Sequence, residues 1–136
     1  MSSLASCLFC KIVKGEIPCM KLLETDTVLA FMDIGPIAKG HCLVIPKYHA
    51  VKLTDLPDDQ MADILPTCKK LAVATGAEDF NILQNNGRAA HQEVDHVHFH
   101  VIPKPDDKEG LGVGWPVQGL SKEAIATKFE EMKRKL

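Results

Sequence analysis

Residues 96–101 alternate strictly between histidine and an apolar residue, and this alternation constrains the fold more than any other feature of the chain. The order is His96-Val97-His98-Phe99-His100-Val101. Successive side chains of a β-strand point to opposite faces, so the pattern predicts a strand with three imidazoles on one face and an apolar face in a core. Neighbouring imidazoles then start about 7 Å apart at the backbone, which lets two or three rings converge on one small group.

The repeated histidines indicate chemistry. A single histidine is more often a partly buried, hydrogen-bonded side chain than a functional group. Near neutral pH, however, a neutral imidazole attacks phosphorus or ligates a metal, and a charged one donates a proton or offsets phosphate charge. Two kinds of site fit the strand: a phosphate-directed nucleophile with helpers, and a His-x-His ligand pair of a catalytic zinc whose third ligand lies elsewhere.

The composition limits the class of protein. The 136 residues are 46% apolar, which predicts one globular domain over 1–136, with 106–136 as a C-terminal tail and helix. A net charge of -2 disfavours bulk nucleic acid and anionic membranes as partners. With no membrane-length apolar run and no signal peptide, we expect a soluble protein of the cytoplasm, with the nucleus as a second compartment. The five cysteines favour reduced thiols or a metal site over a disulfide framework.

The hydrophobic periodicity predicts an α+β fold with a mainly antiparallel five-stranded sheet, two main helices and a short N-terminal helix. Predicted helices cover 4–14, 58–76 and 121–136, and predicted strands cover 20–24, 27–32, 41–45, 80–84 and 94–103. Pro66 is expected to kink the second helix, and the last two strands are expected to pair as a hairpin with a loop of about eight residues. The final helix is predicted to be capped by Ser121 and to turn Ile125, Phe129, Met132 and Leu136 inward.

The histidine strand and several other blocks resemble one known family. Residues 96–102 match the His-φ-His-φ-His-φ-φ signature of the histidine triad (HIT) superfamily at every position, where φ is apolar. Further blocks resemble its Hint branch in order and spacing: Leu8-Phe9-Cys10-Lys11-Ile12, Glu16-Ile17-Pro18, Phe31-Met32-Asp33-Ile34, Gly40-His41-Cys42-Leu43-Val44-Ile45-Pro46-Lys47 and Asn85-Asn86-Gly87. The resemblance covers roughly residues 7–105, and together the blocks are highly specific.

The resemblance implies a nucleotide phosphoramidase that needs no catalytic cofactor. His98 matches the nucleophile that attacks the α-phosphorus of a nucleoside 5'-phosphoryl compound to form a nucleotidyl-histidine, which water then hydrolyses. His96 matches the first family histidine, which is expected near the phosphate and the leaving group and whose carbonyl holds the proton of the nucleophilic ring. His41 and Asn85 match groups beside the phosphate. The substrates implied are purine nucleoside 5'-phosphoramidates such as adenosine 5'-monophosphoramidate.

The resemblance also implies which residues bind the nucleoside. Asp33 matches the carboxylate that accepts both ribose hydroxyls, and a set of apolar residues matches the slot around the base. That set is Leu8, Phe9, Ile12, Phe31 and Ile34.

The chain departs from the family ahead of the triad. It has His91-Gln92-Glu93-Val94 where the family often has Gly-Gln-Ser/Thr-Val. The hydroxyl that can assist the leaving group is therefore absent, the Glu93 backbone N–H remains, and Gln92 is still expected to face the phosphate. Trp115, in a Gly-Trp-Pro that resembles the Hint tail, follows the triad at a longer spacing than in the family.

Cys7 and Cys10 form a Cys-x-x-Cys pair at a predicted helix start, which suits two thiolates on one zinc, although a redox pair or two small buried residues fit as well. The microbial-type Hint resemblance implies a structural zinc completed by His49 and His100. Such a closed Cys2His2 site would tie the N-terminal helix to the sheet.

Four functions remain in view. The phosphoramidase leads; diadenosine polyphosphate hydrolysis, catalysis by a triad-bound zinc and a nucleotide-binding scaffold with vestigial catalysis are the alternatives. The resemblance also implies a homodimer in which the long helix and a strand pair across a two-fold axis.

Overall fold

A five-stranded antiparallel sheet forms the centre of the molecule in the computed structural model, which describes residues 3–136; residues 1 and 2 of the predicted domain lie outside it. The strands are β1 (Lys21–Glu24), β2 (Val28–Met32), β3 (Cys42–Pro46), β4 (Phe80–Gln84) and β5 (Phe99–Pro103), in the spatial order β1-β2-β3-β5-β4. The helices are α1 (Leu8–Val13), α2 (Ile64–Thr75) and α3 (Lys122–Arg134). The predicted fold class is therefore confirmed.

Alternation along β2 and β3 divides the core between the two faces of the sheet. Val28, Ala30 and Val44 pack with the buried side of α2, whereas Leu29 and Phe31 pack with α1 on the other face. Because both faces of β2 and β3 are covered, these strands read as continuous apolar runs. β5 pairs with β3 through Leu43 and with β4 through Leu83, both opposite His100. The histidines thus belong to the face that carries α1.

The predicted kink at Pro66 is wrong. A 3₁₀ turn over Asp58–Gln60 precedes α2, which begins only at Ile64, so Pro66 lies in its first turn. Helix N-termini have backbone N–H groups without intrahelical partners, so a proline there breaks no hydrogen bond. Gly76 ends α2 with a φ of 75°, as its position in the sequence predicts.

The connection between β4 and β5 is longer than predicted. β5 begins at Phe99, so residues 85–98 all belong to the loop, including a 3₁₀ turn over Arg88–Ala90. His96 and His98 therefore precede the ladder and are not part of it. This leaves the His96 carbonyl free to accept a hydrogen bond from the His98 side chain.

The prediction that α3 turns an apolar face inward is wrong. Ser121 caps it, its side chain accepting a hydrogen bond from Ala124 N–H, but no residue of α3 is buried. The four residues expected inside, Ile125, Phe129, Met132 and Leu136, are all exposed. Amphipathic spacing predicts a helix and an apolar stripe, and it does not specify what covers the stripe. None of the helices described is long and apolar enough to cross a membrane.

Candidate functional site

Two clefts meet on the face that carries the histidines. The smaller, about 260 Å³, is apolar and lies between α1 and the ends of β2 and β3; we call it the apolar slot. The larger, about 540 Å³, is bounded by the loops after β2 and β4; we call it the polar cleft. Four residues line both: Asp33, Glu93, His98 and His100. A ligand with an apolar part and a polar part can therefore extend from one cleft into the other across His98.

The hydrogen bonds of His98 fix which of its nitrogens is reactive. Its Nδ1 lies 2.7 Å from the carbonyl oxygen of His96, and since a carbonyl only accepts, Nδ1 carries the proton. The lone pair is therefore on Nε2. Burial lowers the pKa of His98 below its ordinary value, which favours the neutral ring. A neutral imidazole with a free Nε2 is a nucleophile that needs no separate base.

His41 and His100 form a second hydrogen-bonded chain. Ile37 N–H donates to His41 Nδ1 at 3.2 Å, so the proton of a neutral His41 is on Nε2. That nitrogen lies 2.9 Å from His100 Nδ1 and donates to it, which leaves the proton of His100 on its own Nε2. Burial lowers the pKa of both rings, that of His100 to about 4. His41 thus acts through His100 by setting its tautomer, and His100 offers an N–H donor beside His98.

Asp33 and Asn85 both line the polar cleft, and Asp33 also lines the apolar slot. The Asp33 carboxylate accepts a hydrogen bond from Gly35 N–H at 2.7 Å and lies 3.5 Å from His41 Nε2. A carboxylate has about four acceptor positions, so room remains for further donors. Asn85 lines the polar cleft, and its Nδ2 donates to the His91 carbonyl.

All five residues predicted to surround a base line the apolar slot: Leu8, Phe9, Ile12, Phe31 and Ile34. The centroid of the Phe9 ring lies 5.1 Å from that of His98 in an edge arrangement. The slot also contains residues to which no role was assigned from the sequence: Ile17, Pro18, Cys19, Met32, Leu43 and Val94. Ile17 and Pro18 belong to the Glu16-Ile17-Pro18 block that resembles the Hint branch, and that resemblance was the signal in the sequence that could have assigned them to the slot.

The prediction that Gln92 faces the phosphate is wrong. Its side chain is fully buried and committed to the backbone: Oε1 accepts from Gly87 N–H, and Nε2 donates to the carbonyls of Val51 and Val94. Gln92 therefore holds the 85–98 loop in shape. A buried amide with these three partners has no donor left for a ligand.

His91 lies at the rim of the polar cleft with a φ of 66°, and it is the one non-glycine residue among 3–136 with a positive φ. Histidine tolerates the left-handed region better than bulky residues do, although glycine is favoured there. Trp115 is exposed and lines neither cleft.

Cys7, Cys10, His49 and His96 form a compact cluster, which we call the thiol–imidazole cluster. His96 Nδ1 lies 3.4 Å from Cys7 Sγ and 3.6 Å from Cys10 Sγ, and His49 Nδ1 lies 3.4 Å from Cys10 Sγ and 3.2 Å from His96 Nδ1. A zinc tetrahedron with ordinary bond lengths has S···N edges of about 3.6 Å and N···N edges of about 3.3 Å. The cluster can therefore hold a metal ion.

The fourth member of this cluster is His96 and not His100, which corrects the predicted ligand set. The Nε2 of His96 donates to the Pro46 carbonyl at 2.8 Å, and this bond turns its Nδ1 toward the thiols. His100 bonds to His41 instead, at the other end of the row of rings. His96 therefore contacts the cluster through its ring and contacts His98 through its carbonyl oxygen. Its ring lines neither cleft, so the predicted position of His96 near the phosphate and the leaving group is wrong.

The triad does not converge on a metal. Among the residues described, His98 belongs to no group of potential ligands close enough to share an ion. Asp33, His41 and His100 are close enough, but His41 presents its protonated Nε2 to the other two, and a ligand nitrogen must be free of its proton. This geometry contradicts the alternative of a catalytic zinc bound by the three histidines.

Comparison with known proteins agrees with this architecture. A family model, the HIT domain, matches residues 14–107. Adenosine 5'-monophosphoramidase hnt1 of Schizosaccharomyces pombe is 60% identical over 131 residues, which are 96% of this chain and 98% of the relative. The corresponding enzyme of Saccharomyces cerevisiae is 54% identical over 97% of this chain and 84% of its own length.

A solved structure is equally similar. The crystal structure of a histidine triad nucleotide-binding protein from Candida albicans superposes with a TM-score of 0.91 at 51% identity, covering 96% of each chain. With a matching family model, close relatives over nearly the full length and the same fold, the chain belongs to the HIT domain family.

Proposed function

We propose that this protein is a nucleotide phosphoramidase that hydrolyses purine nucleoside 5'-phosphoramidates, adenosine 5'-monophosphoramidate among them, through a nucleotidyl-histidine at His98. The observation that carries the proposal is the hydrogen bond from His98 Nδ1 to the His96 carbonyl, which leaves Nε2 as a free nucleophile where the two clefts meet. The names of the relatives from two yeasts support the same reaction.

The mechanism assigns a role to each group in the clefts. The purine occupies the apolar slot, and Asp33 accepts hydrogen bonds from the ribose hydroxyls. The α-phosphate then lies in the polar cleft beside His98. His98 Nε2 attacks the phosphorus while the bond to the departing nitrogen breaks. We assign His100 Nε2–H, Asn85 and the Glu93 backbone N–H, all from residues that line the polar cleft, as donors to the charge that develops on the phosphoryl oxygens.

Rapid quenching followed by mass spectrometry tests this proposal. The protein is mixed with adenosine 5'-monophosphoramidate, quenched in base, which preserves phosphorus–nitrogen bonds to histidine, and digested. We expect an adenylated peptide whose modification maps to His98 and whose amount rises and decays within one turnover. Hydrolysis without any adenylated peptide, or with the label on His96 or His100, would contradict the mechanism.

We infer that the thiol–imidazole cluster holds a structural zinc through Cys7, Cys10, His49 and His96. Support comes from the near-tetrahedral spacing of the four donor atoms and from backbone N–H groups of Leu4 and Cys10, which donate to the two sulfurs. Burial raises the pKa of the Cys7 thiol, so a nearby cation is needed to keep it as a thiolate. A zinc there would fasten α1 to the sheet and supply no step of the reaction.

We further propose that the protein is a homodimer that pairs along β4. β4 is an edge strand, and its Phe80 and Ile82 are exposed large apolar side chains. On α2, Leu65 and Val73 are also exposed, and Ala74 on the other side of the helix lines a cleft with Leu22 near β1. Ile82 lies opposite Val101, which packs with the buried side of α2, so the exposed side chains of β4 are on the sheet face that carries α2. An unpaired edge beside an apolar helix face suits a second copy, which would extend the sheet across a two-fold axis.

A charge on the exposed face of α2 tests the dimer. We expect Val73→Glu to convert a species of twice 14.9 kDa into one of 14.9 kDa in light scattering, because a buried unpaired carboxylate opposes association. Met20→Glu, which places the same charge on an exposed apolar residue near the opposite sheet edge, is the matched control. A wild-type monomer, or a Val73→Glu dimer as stable as the control, would contradict pairing through this face.

A further inference from the structure

Glu93 carries the one negative charge in the site that no other group engages. Its side chain is exposed and lines both clefts beside His98. Among residues 3–136 its carboxylate has neither a salt bridge nor a hydrogen bond. The nearby guanidinium of Arg88 is engaged elsewhere: Nη1 donates to the carbonyls of Gln92 and Glu93, and Nη2 pairs with Asp95 at 3.1 Å.

The charges around the clefts have one sign. No lysine or arginine of the part of the chain described lines the apolar slot or the polar cleft, whereas Asp33 and Glu93 line both. His41 and His100 do not offset these carboxylates, because each ring accepts a hydrogen bond at Nδ1 and is therefore neutral. Asp33 contacts Gly35 and His41 and is assigned to the ribose hydroxyls, which leaves Glu93 as the carboxylate free to meet the departing group.

Glu93 lies where the departing group of the substrate is expected to extend. The nucleoside fills the apolar slot, so the group on the far side of the phosphorus extends into the polar cleft, past Glu93. In the reaction, a bond forms between His98 Nε2 and phosphorus as the substrate P–N bond breaks. The departing nitrogen keeps the electron pair and takes up one proton. Water then adds to phosphorus, the bond to His98 breaks, and a nucleoside monophosphate and the free imidazole result.

We propose that Glu93 is a specificity-determining residue that favours phosphoramidates whose departing amine bears a second, positively charged group, and that disfavours departing groups with a negative charge. This selectivity rests on the proposed phosphoramidase activity. The carboxylate attracts a cation on the departing group and repels an anion. No lysine or arginine among the residues described lines either cleft, and the nearby Arg88 is paired with Asp95, so the charge of Glu93 is not offset. The same field disfavours a polyphosphate chain, and so the diadenosine polyphosphate alternative.

The test compares three adenosine 5'-phosphoramidates with side arms of matched length: 4-aminobutyl, pentyl and 4-carboxybutyl. For the wild-type protein we expect kcat/KM to fall in that order. In Glu93→Gln, which keeps the backbone N–H and the length of the side chain, we expect the ratio between the 4-aminobutyl and 4-carboxybutyl compounds to shrink roughly 10-fold. Each sign contributes about threefold, which lies within the range measured for solvent-facing charge pairs.

Two controls make the result specific. Asp26→Asn removes the same charge from an exposed turn remote from both clefts and is expected to leave the wild-type ratio unchanged. Raising the ionic strength is expected to compress the wild-type ratio toward that of Glu93→Gln, because salt screens exposed charges.

The outcomes separate the two proposals. Equal ratios in wild-type protein and Glu93→Gln, with all three compounds hydrolysed, would overturn the role of Glu93 and leave the phosphoramidase activity standing. A wild-type protein that hydrolyses none of the three compounds would overturn the phosphoramidase activity itself.

Discussion

His98→Ala is expected to reduce phosphoramidate hydrolysis by about 10⁴-fold or more, because removal of a covalent nucleophile leaves only binding and charge stabilisation. The substitution removes the free Nε2 at the junction of the clefts and, with it, the formation of the nucleotidyl intermediate. The measurement is steady-state release of AMP together with the quenched mass spectrum. Adenosine monophosphate should still bind, because the apolar slot and Asp33 are unchanged.

A second substitution separates the chemistry from the packing. His98 is buried, so alanine also removes the hydrogen bond to the His96 carbonyl. In His98→Asn the amide can donate to that carbonyl in place of Nδ1–H but offers no nucleophile. We expect this variant to melt close to the wild-type temperature and to be as inactive as His98→Ala. Substantial turnover by either variant would place the nucleophile elsewhere.

Loss of the thiol–imidazole cluster is expected to give the largest effect on stability. Cys10 and Cys42 are each 1% exposed, so their alanine variants lose the same sulfur from equally buried positions, and only Cys10 belongs to the proposed zinc site. We expect Cys42→Ala to cost about 1 kcal/mol and to retain one zinc per chain by elemental analysis. Cys10→Ala should contain no zinc and cost several kcal/mol more, because metal binding free energy contributes to folding free energy.

Chelation and a third variant complete this test. A strong chelator should lower the melting temperature of the wild-type protein and of Cys42→Ala but not that of Cys10→Ala. His100→Ala should retain its zinc, because His100 bonds to His41 and lies outside the cluster. Equal stability losses for the two cysteine variants together with chelator-independent melting, or loss of zinc from His100→Ala, would contradict the ligand set.

The sequence predicted the elements of the site better than their connections. The two-residue period of the histidines located the strand, and His100 lies on the face that this period predicts. It pairs there with Leu43 and Leu83 of the neighbouring strands. Periodicity cannot decide how a ring turns about its own bonds. The carbonyl of Pro46 decides that His96 points its Nδ1 at the thiols, and this carbonyl lies 50 residues earlier in the chain.

Two other errors share that cause. Gln92 next to a phosphate site reads as a ligand residue, yet Val51, another distant backbone group, is one of its partners. The stripe on α3 reads as a core face, yet burial depends on whether another surface is present to cover it. A local pattern indicates which side chains share a face. The groups that bond to those side chains or cover them come from segments far away in the sequence.

His96 connects two properties that usually evolve apart. Its ring belongs to the cluster that fastens α1, and its carbonyl orients the nucleophile, so a change at either cysteine also disturbs the reactive ring. A lineage losing the thiols one at a time would pass through forms weakened in both folding and turnover. Their replacement therefore requires a new partner for His96 Nδ1 to be in place first, and engineering of this scaffold faces the same order of steps.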